Sequence, residues 1–202
     1  MVANMEIGVS DTYIKISNVF IFDDYVIKEY YHRYDFVDHI VKNETDINMR
    51  LLNLGISFIP KLLSVEKNMQ KTKLAFKKID GRTLASLKFS YMEFEEKFKI
   101  FMKILNMVKV LHINNLIHND LSLANLMLNH DKEVYMIDFA LSTSFNKKDS
   151  INDLNSLTYI GYKIFNVKFD IKADDIHNYI RKIGEIKYEL LYKRGFKVKD
   201  LW

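Results

Sequence analysis

The sequence predicts an α+β fold in two lobes, a strand-rich N-terminal part and a helical remainder. Three observations predict it. Short apolar runs rich in Val, Ile, Tyr and Phe, bounded by polar turns, fill residues 12–28 and recur at 59–65 and 74–79. Longer stretches with apolar residues at helical spacing cover 92–114, 150–165 and 174–192. Between the first and second of these lie a polar loop and a hairpin pattern, residues 118–137. The expected boundary puts residues 1–79 in the first lobe and 80–202 in the second, as parts of one domain. With 202 residues, 49% of them hydrophobic, one packed domain is well within reach.

The elements follow in order. Thr12–Ile16, Val19–Phe22 and Tyr25–Lys28 read as short strands, with a turn at Asp23-Asp24. Asp38–Leu54 reads as a helix with Val37, Ile40, Val41, Ile47, Leu51 and Leu54 available for burial. Ile59–Val65 and Leu74–Ile79 are two further strands around the polar turn Glu66–Lys73. Asp80-Gly81-Arg82-Thr83-Leu84 leaves the sheet and opens a helix. Leu126-Met127-Leu128, the turn Asn129-His130-Asp131-Lys132 and Val134–Ile137 read as a β-hairpin. No internal repeat or low-complexity segment interrupts the chain.

The chemistry concentrates on His118-Asn119-Asp120-Leu121-Ser122-Leu123-Ala124-Asn125 and Tyr135-Met136-Ile137-Asp138-Phe139-Ala140. An aspartate, an asparagine five residues on and a second aspartate beyond a hairpin are the groups phosphoryl transfer needs. Asp120 orients the accepting hydroxyl, while Asn125 and Asp138 supply hard oxygen ligands for Mg²⁺ against nucleotide phosphates. The hairpin brings its two ends, Asn125 and Asp138, close together. His118 is expected to support this loop, since the six histidines show no metal-ligand spacing.

Upstream, Val26-Ile27-Lys28 is the kind of strand that ends in a phosphate-binding lysine. Such a lysine pairs with a helical glutamate in kinases. By spacing that position is Asn48, an uncharged amide; Glu44 lies one turn earlier on the same face, and Asp46 points elsewhere. The segment Phe76–Ile79, with Phe76 and Lys78, is the expected connection whose backbone would meet adenine. Gly8, in Ile7-Gly8-Val9-Ser10-Asp11, is the one glycine placed to approach phosphate. There is no GxGxxG and no P-loop pattern. Asn119 stands where small atypical kinases have the glycine of His-Gly-Asp, and Ala140 where kinases have the glycine of Asp-Phe-Gly. Asn tolerates a left-handed backbone better than Ala does.

Bulk properties limit the alternatives. The absence of cysteine excludes disulfides and thiolate metal sites. Residues 1–10 lack an apolar signal core, and no run approaches the roughly 20 apolar residues of a membrane helix. An intracellular protein, cytoplasmic or nuclear, without a membrane partner is therefore expected. Pro60 is the single proline and there are six glycines, while Asn, Lys and Ile are abundant. An aromatic content of 13% argues that this reflects genome composition rather than disorder. Five basic residues against Glu189 between Lys187 and Lys199 account for the whole net charge of +4. That points to an anionic partner such as RNA, nucleotide or an acidic protein surface.

Taken together, these motifs resemble the small atypical kinase/ATPase of the KEOPS (EKC) complex, the PRPK-like family, over most of the chain. His32-Arg33-Tyr34-Asp35-Phe36-Val37-Asp38 is similar to that family's Y-R-x-x-x-L-D stretch, and Thr45 with Leu51-Leu52 to its R-T-x-x-E-A-x-L-L helix. The loop at 118–125 resembles H-G-D-L-T-T-S-N, and Ile137–Ser142 resembles I-D-F-G-L-S. Asp149-Ser150-Ile151-Asn152-Asp153-Leu154 resembles D-K-A-V-D-L. Lys193-Arg194-Gly195-Phe196-Lys197 resembles the terminal R-G-R-K.

The resemblance implies a small two-lobed protein-kinase-like fold with a minimal C-lobe and no full activation segment. It implies ATP and Mg²⁺ use with weak Ser/Thr phosphorylation. It also implies assembly with a TsaD-like subunit and other KEOPS subunits that make the threonylcarbamoyl adenosine of tRNA, tRNA being reached through the complex. Lys193, Arg194, Gly195 and Lys197 form the tail that reaches toward the partner. RIO-type kinases share the short C-lobe and the Asp, Asn, Asp order but lack the Arg-Gly-x-Lys tail. Small-molecule phosphotransferases share the loop but carry longer helical lobes. A pseudokinase scaffold is the reading from a different class, supported by Asn48, Asn119 and Ala140.

Overall fold

The computed structural model describes the backbone of residues 2–9, 12–168 and 171–192. It divides the chain into two compact units: residues 1–83 with 125–142, and residues 84–124 with 143–202. The expected boundary at 79/80 therefore moves to 83/84, and the hairpin 126–136 goes with the first unit. The reason is backbone pairing, given below.

In the first unit, β1 (Val2–Val9), β2 (Thr12–Ile21), β3 (Tyr25–Tyr31), β4 (Leu62–Lys67) and β5 (Lys71–Lys77) form an antiparallel sheet. Its order is β1-β2-β3-β5-β4. The two short strands expected over 12–22 are one continuous strand, because Ser17 to Ile21 pair without a break against β3. The turn expected over 66–73 shrinks to a tight one, in which the Asn68 side chain accepts from the Gln70 and Lys71 amides at 2.9 and 3.0 Å.

Helix α1 (Asp35–Asn53) starts three residues earlier than its apolar pattern suggests, with Asp35 and Asp38 favourably placed in its first turn. It buries Val37, Ile40, Val41, Ile47 and Leu51. Val37, Ile40 and Val41 pack with Ile16, Tyr30, Leu74, Phe76 and Ala140 into the core of this unit. Two polar residues, Glu44 and Asn48, lie in the same buried stripe.

The expected helix start at 80–84 is instead β6 (Gly81–Thr83), which pairs with β8 (Leu126–Asn129), itself paired with β9 (Val134–Met136). Short β7 (Leu116–Ile117) and β10 (Thr143–Ser144) pair with each other in the second unit. The Met136 amide donates to the Phe58 carbonyl at 2.8 Å. Together with the β6–β8 ladder, this ties the hairpin to the first unit.

The second unit is built on α2 (Phe94–Ile113), α3 (Ser150–Phe165) and α4 (Ile176–Tyr192). Phe94, Phe101 and Phe165 are buried in one aromatic cluster, with ring centroids 5.6 Å apart for both Phe94–Phe165 and Phe101–Phe165. None of the helices among the described residues is long and apolar enough to cross a membrane.

Gly81 is a tight backbone approach between β6 and β8. A Cβ there would lie against the Leu128 carbonyl oxygen and 2.9 Å from the Asn129 Cα, both backbone atoms on the paired strand. Gly81→Ala should therefore destabilise the protein by about 1–3 kcal/mol by overpacking, read as a shift of the chemical-denaturation midpoint. An unchanged midpoint would mean the β6–β8 pairing can widen freely.

Candidate functional site

In the first unit, Lys28 leaves β3 with its ammonium held between two carboxylates. Its Nζ donates to Glu44 Oε1 at 2.7 Å and to Asp138 Oδ1 at 2.8 Å. The Tyr30 hydroxyl donates to the other Glu44 oxygen, Oε2. Lys28 and Tyr30 are two residues apart on one strand, so their side chains share the face that α1 covers. Burial by itself disfavours the charged ammonium, but Glu44, the Tyr30 phenol and Asp138 outweigh it and hold Lys28 well above the ordinary lysine value of 10.5. The stability linked to titration of Lys28 itself is present below 10.5 and is lost as pH rises through the higher folded-state value, while burial raises the Glu44 carboxyl so that acid weakens the pair from the other side.

The helical partner of Lys28 is thus Glu44, not Asn48. Asn48 lies one turn further on, almost fully buried, and its Nδ2 donates to the Pro60 carbonyl at 3.2 Å. Its Oδ1 meets no hydrogen-bond donor. The sequence carried a signal for this: a glutamate inside the apolar stripe of an amphipathic helix needs a buried cation to neutralise it.

Asp138 follows β9 and has φ +66°, a left-handed conformation that Asp tolerates better than most residues. The Ile137 amide beside it donates to the Asn125 carbonyl at 2.9 Å, so the two ends of the hairpin meet. Beyond Asp138, the Asn43 Nδ2 on α1 donates to the carbonyls of Phe139 (3.3 Å), Ala140 (3.1 Å) and Ser142 (2.6 Å). Sequence reasoning missed both Asn43 and Tyr30, since neither type of residue at those positions announces its partner.

Phe76 and Lys78 fall differently from expectation. Phe76 sits inside β5, flanked by Val26 on β3 and Leu62 on β4, with its side chain in the core. The Lys77 and Lys78 amides donate to the Lys61 and Asp24 carbonyls at 2.8 and 3.0 Å. The strand ends at Lys77, so the connection leaving the sheet starts two residues later than Phe76. Gly8 lies near the end of β1, opposite Tyr13. Lys193, Arg194, Gly195 and Lys197 lie outside the described residues.

In the second unit, the loop bearing Asp120 is organised by a buried carboxylate on α3. Asp153 is fully buried. Its Oδ2 accepts from the His118 amide at 3.0 Å and lies 3.0 Å from His112 Nε2, while Oδ1 accepts from the Asn119 amide at 3.0 Å. His118 is buried as well, and its Nδ1 accepts from the Asp120 amide at 3.3 Å. Asn119 has φ +62°, so it occupies a glycine-type conformation, and its Nδ2 donates to Thr143 Oγ1 at 2.8 Å. The side chain therefore adds a tie that glycine lacks.

If Lys28 grips phosphate, Lys28→Met should weaken nucleotide binding by about ten- to hundredfold, the range for charged hydrogen bonds. Glu44→Gln should reproduce part of that loss, and Asn48→Ala should leave nucleotide affinity alone at some cost in stability. Calorimetric titration of the three variants checks this. A silent Glu44→Gln beside an impaired Asn48→Ala would reverse the assignment.

A RIO domain family model matches residues 14–156. The chain is 33% identical over 127 residues to the dual specificity protein kinase zakA of Dictyostelium discoideum, covering 60% of this chain and 16% of that protein. It is 24% identical over 140 residues to the probable serine/threonine-protein kinase KIN1 homolog of Enterocytozoon bieneusi, covering 65% and 24%. The chain thus spans a quarter or less of these relatives' lengths. Among solved structures, the co-crystal structure of WbdD and kinase inhibitor LY294002 superposes with a TM-score of 0.59 at 16% identity, over 89% of this chain and 48% of that one. That likeness is one of fold, an α+β protein-kinase-like fold. The family match takes in Lys28, Glu44, Asp120, Asn125, Asp138 and Asp153, and the chain belongs to the RIO domain family, a family of atypical kinases.

Proposed function

We propose that the chain is an atypical serine/threonine kinase that transfers the terminal phosphoryl group of ATP to a hydroxyl with Mg²⁺ as cofactor. The observation that carries this reading is the Lys28 ammonium bridging Glu44 and Asp138. A buried cation kept charged, next to a carboxylate at the end of a hairpin, suits polyphosphate with a metal ion. The carboxylate of Asp138 and the side-chain amide oxygen of Asn125 are hard donors that fit Mg²⁺, which keeps several waters and takes few protein ligands. Among the described residues, no cluster of three His, Cys, Asp or Glu offers a closed metal site. The ion, when bound, neutralises charge on the phosphate oxygens.

The chain's own residues divide the rest of the work. Lys28 presents positive charge to the α- and β-phosphates. Glu44 aims that ammonium, and Tyr30 holds Glu44. Asp120 accepts the hydrogen bond of the attacking hydroxyl and orients it, as a group on a loop fixed by Asp153 can do.

Asp120→Asn should lower kcat by about 10²–10⁴-fold with nucleotide affinity kept. Asp138→Asn, which retains the left-handed backbone, should lower turnover about a hundredfold or more. Radiolabelled ATP turnover beside thermal melting tests both. A folded Asp138→Asn protein turning over like wild type would remove the site.

A finer reading adds KEOPS-type work, with ATP hydrolysis supporting a TsaD-like subunit in tRNA modification. Its support is the sequence of the basic tail, Lys193-Arg194-Gly195-Phe196-Lys197. Deleting Lys193–Trp202 should then lower partner-stimulated ATPase and tRNA modification together, more so at low salt. Full activity of the truncated protein in both assays favours a RIO-type kinase acting without such a partner. Wild-type protein that binds ATP without turnover favours a scaffold.

A further inference from the structure

The segment after Asp138 has no hydrogen bond to α1 that its sequence alone would forecast, yet one side chain ties it there at three points. The Asn43 Nδ2 reaches the Phe139, Ala140 and Ser142 carbonyls at 3.3, 3.1 and 2.6 Å. All three partners are acceptors, so the amide nitrogen must face them, and the assignment of nitrogen and oxygen is chemically fixed. Asn43 is adjacent to Glu44 on α1. The helix therefore holds the Asp138 region twice: through Glu44, Lys28 and Asp138, and through Asn43 to the three carbonyls that follow. Ala140 is buried in the core of the same unit with Val37, Ile40 and Val41 of α1, which closes the segment on its apolar side.

We infer that Asn43 is a positioning residue that latches residues 139–142 onto α1 and so fixes Asp138 in its metal-facing, left-handed conformation. This rests on the reading of Asp138 as a metal ligand. Asp138 at φ +66° is held in a backbone state that is sparsely populated for a non-glycine residue. Such a state persists where its surroundings over-determine it. The Lys28 bond to Oδ1 is made to the side chain and does not fix the peptide that follows, whereas bonds to the carbonyls of residues 139, 140 and 142 act on that peptide directly. The position of Ala140 makes the latch useful. A glycine there would let the segment swing, and alanine with Asn43 restricts it from two sides. The Asp138 conformation is then built into the fold, with no modification of the segment needed to set it.

The test compares wild type, Asn43→Ala and Asn43→Asp, the last keeping shape while turning the donor into an acceptor. Hydrogen exchange of the 139–143 amides in nucleotide-free protein is read beside the Mg²⁺ concentration giving half-maximal ATP turnover. Asn43→Ala should speed exchange there by about tenfold or more and raise the Mg²⁺ midpoint about tenfold, the loss of one hydrogen bond's net free energy. Affinity for nucleotide in EDTA should stay within twofold. Asn43→Asp should be worse than Asn43→Ala on both counts. Unchanged exchange overturns the latch. Faster exchange with an unchanged Mg²⁺ midpoint in folded protein also overturns it, because Asn43 would then be structural only. If wild-type turnover does not respond to Mg²⁺, the metal reading of Asp138 falls, and the exchange comparison still decides the latch.

Discussion

A charged lysine inside a protein must be surrounded by compensating charge, and that requirement shapes the first unit. Lys28 is almost enclosed, with carboxylate oxygens 2.7 and 2.8 Å away. One carboxylate comes from α1 and the other from the end of the hairpin. Satisfying a single ammonium therefore fixes the helix against the sheet and the hairpin end against both. Breaking either pair would leave a buried charge without its partner, which is far more costly than the pair itself is stabilising. Tyr30 adds to this arrangement from the same strand as Lys28. Its hydroxyl donates to the second oxygen of Glu44, so both oxygens of that buried carboxylate have a hydrogen-bond partner.

The second unit repeats the device with a different donor set. Asp153 is buried on α3 and accepts hydrogen bonds from two consecutive loop amides, with His112 Nε2 3.0 Å from one of its oxygens. Backbone donors to a carboxylate hold a loop more tightly than side-chain donors do, because no rotamer freedom remains between the bond and the chain. In each unit one buried acid organises a segment that carries a candidate site residue. Glu44 does so through a lysine, and Asp153 through the backbone leading to Asp120.

The RIO domain match spans Asp120, Asn125 and Asp138. The replaced glycines fit this framework. Asn119 adopts the left-handed backbone itself and adds a hydrogen bond to Thr143. Ala140 lies in the core against α1, where its methyl group is buried. Both replacements exchange freedom for fixed contacts.

The linear chain determined the α+β class, the helix of residues 150–165 and the hairpin, and it named Lys28, Asp120, Asn125 and Asp138 as candidate residues. Each is a local pattern: a period of hydrophobicity, a turn composition, or a spacing along one segment. Tertiary structure chose between Glu44 and Asn48 as the helical residue that meets Lys28. Spacing pointed to Asn48, but an amide cannot neutralise an ammonium, and Glu44 one turn earlier could reach it with help from Tyr30. It alone decided that the hairpin joins the first unit, since strand pairing between residues 81–83 and 127–129 spans chain separations that no local pattern records. It alone placed Asn43 against carbonyls almost a hundred residues away. A short polar side chain on a helix is chemically noncommittal until the fold brings it a partner.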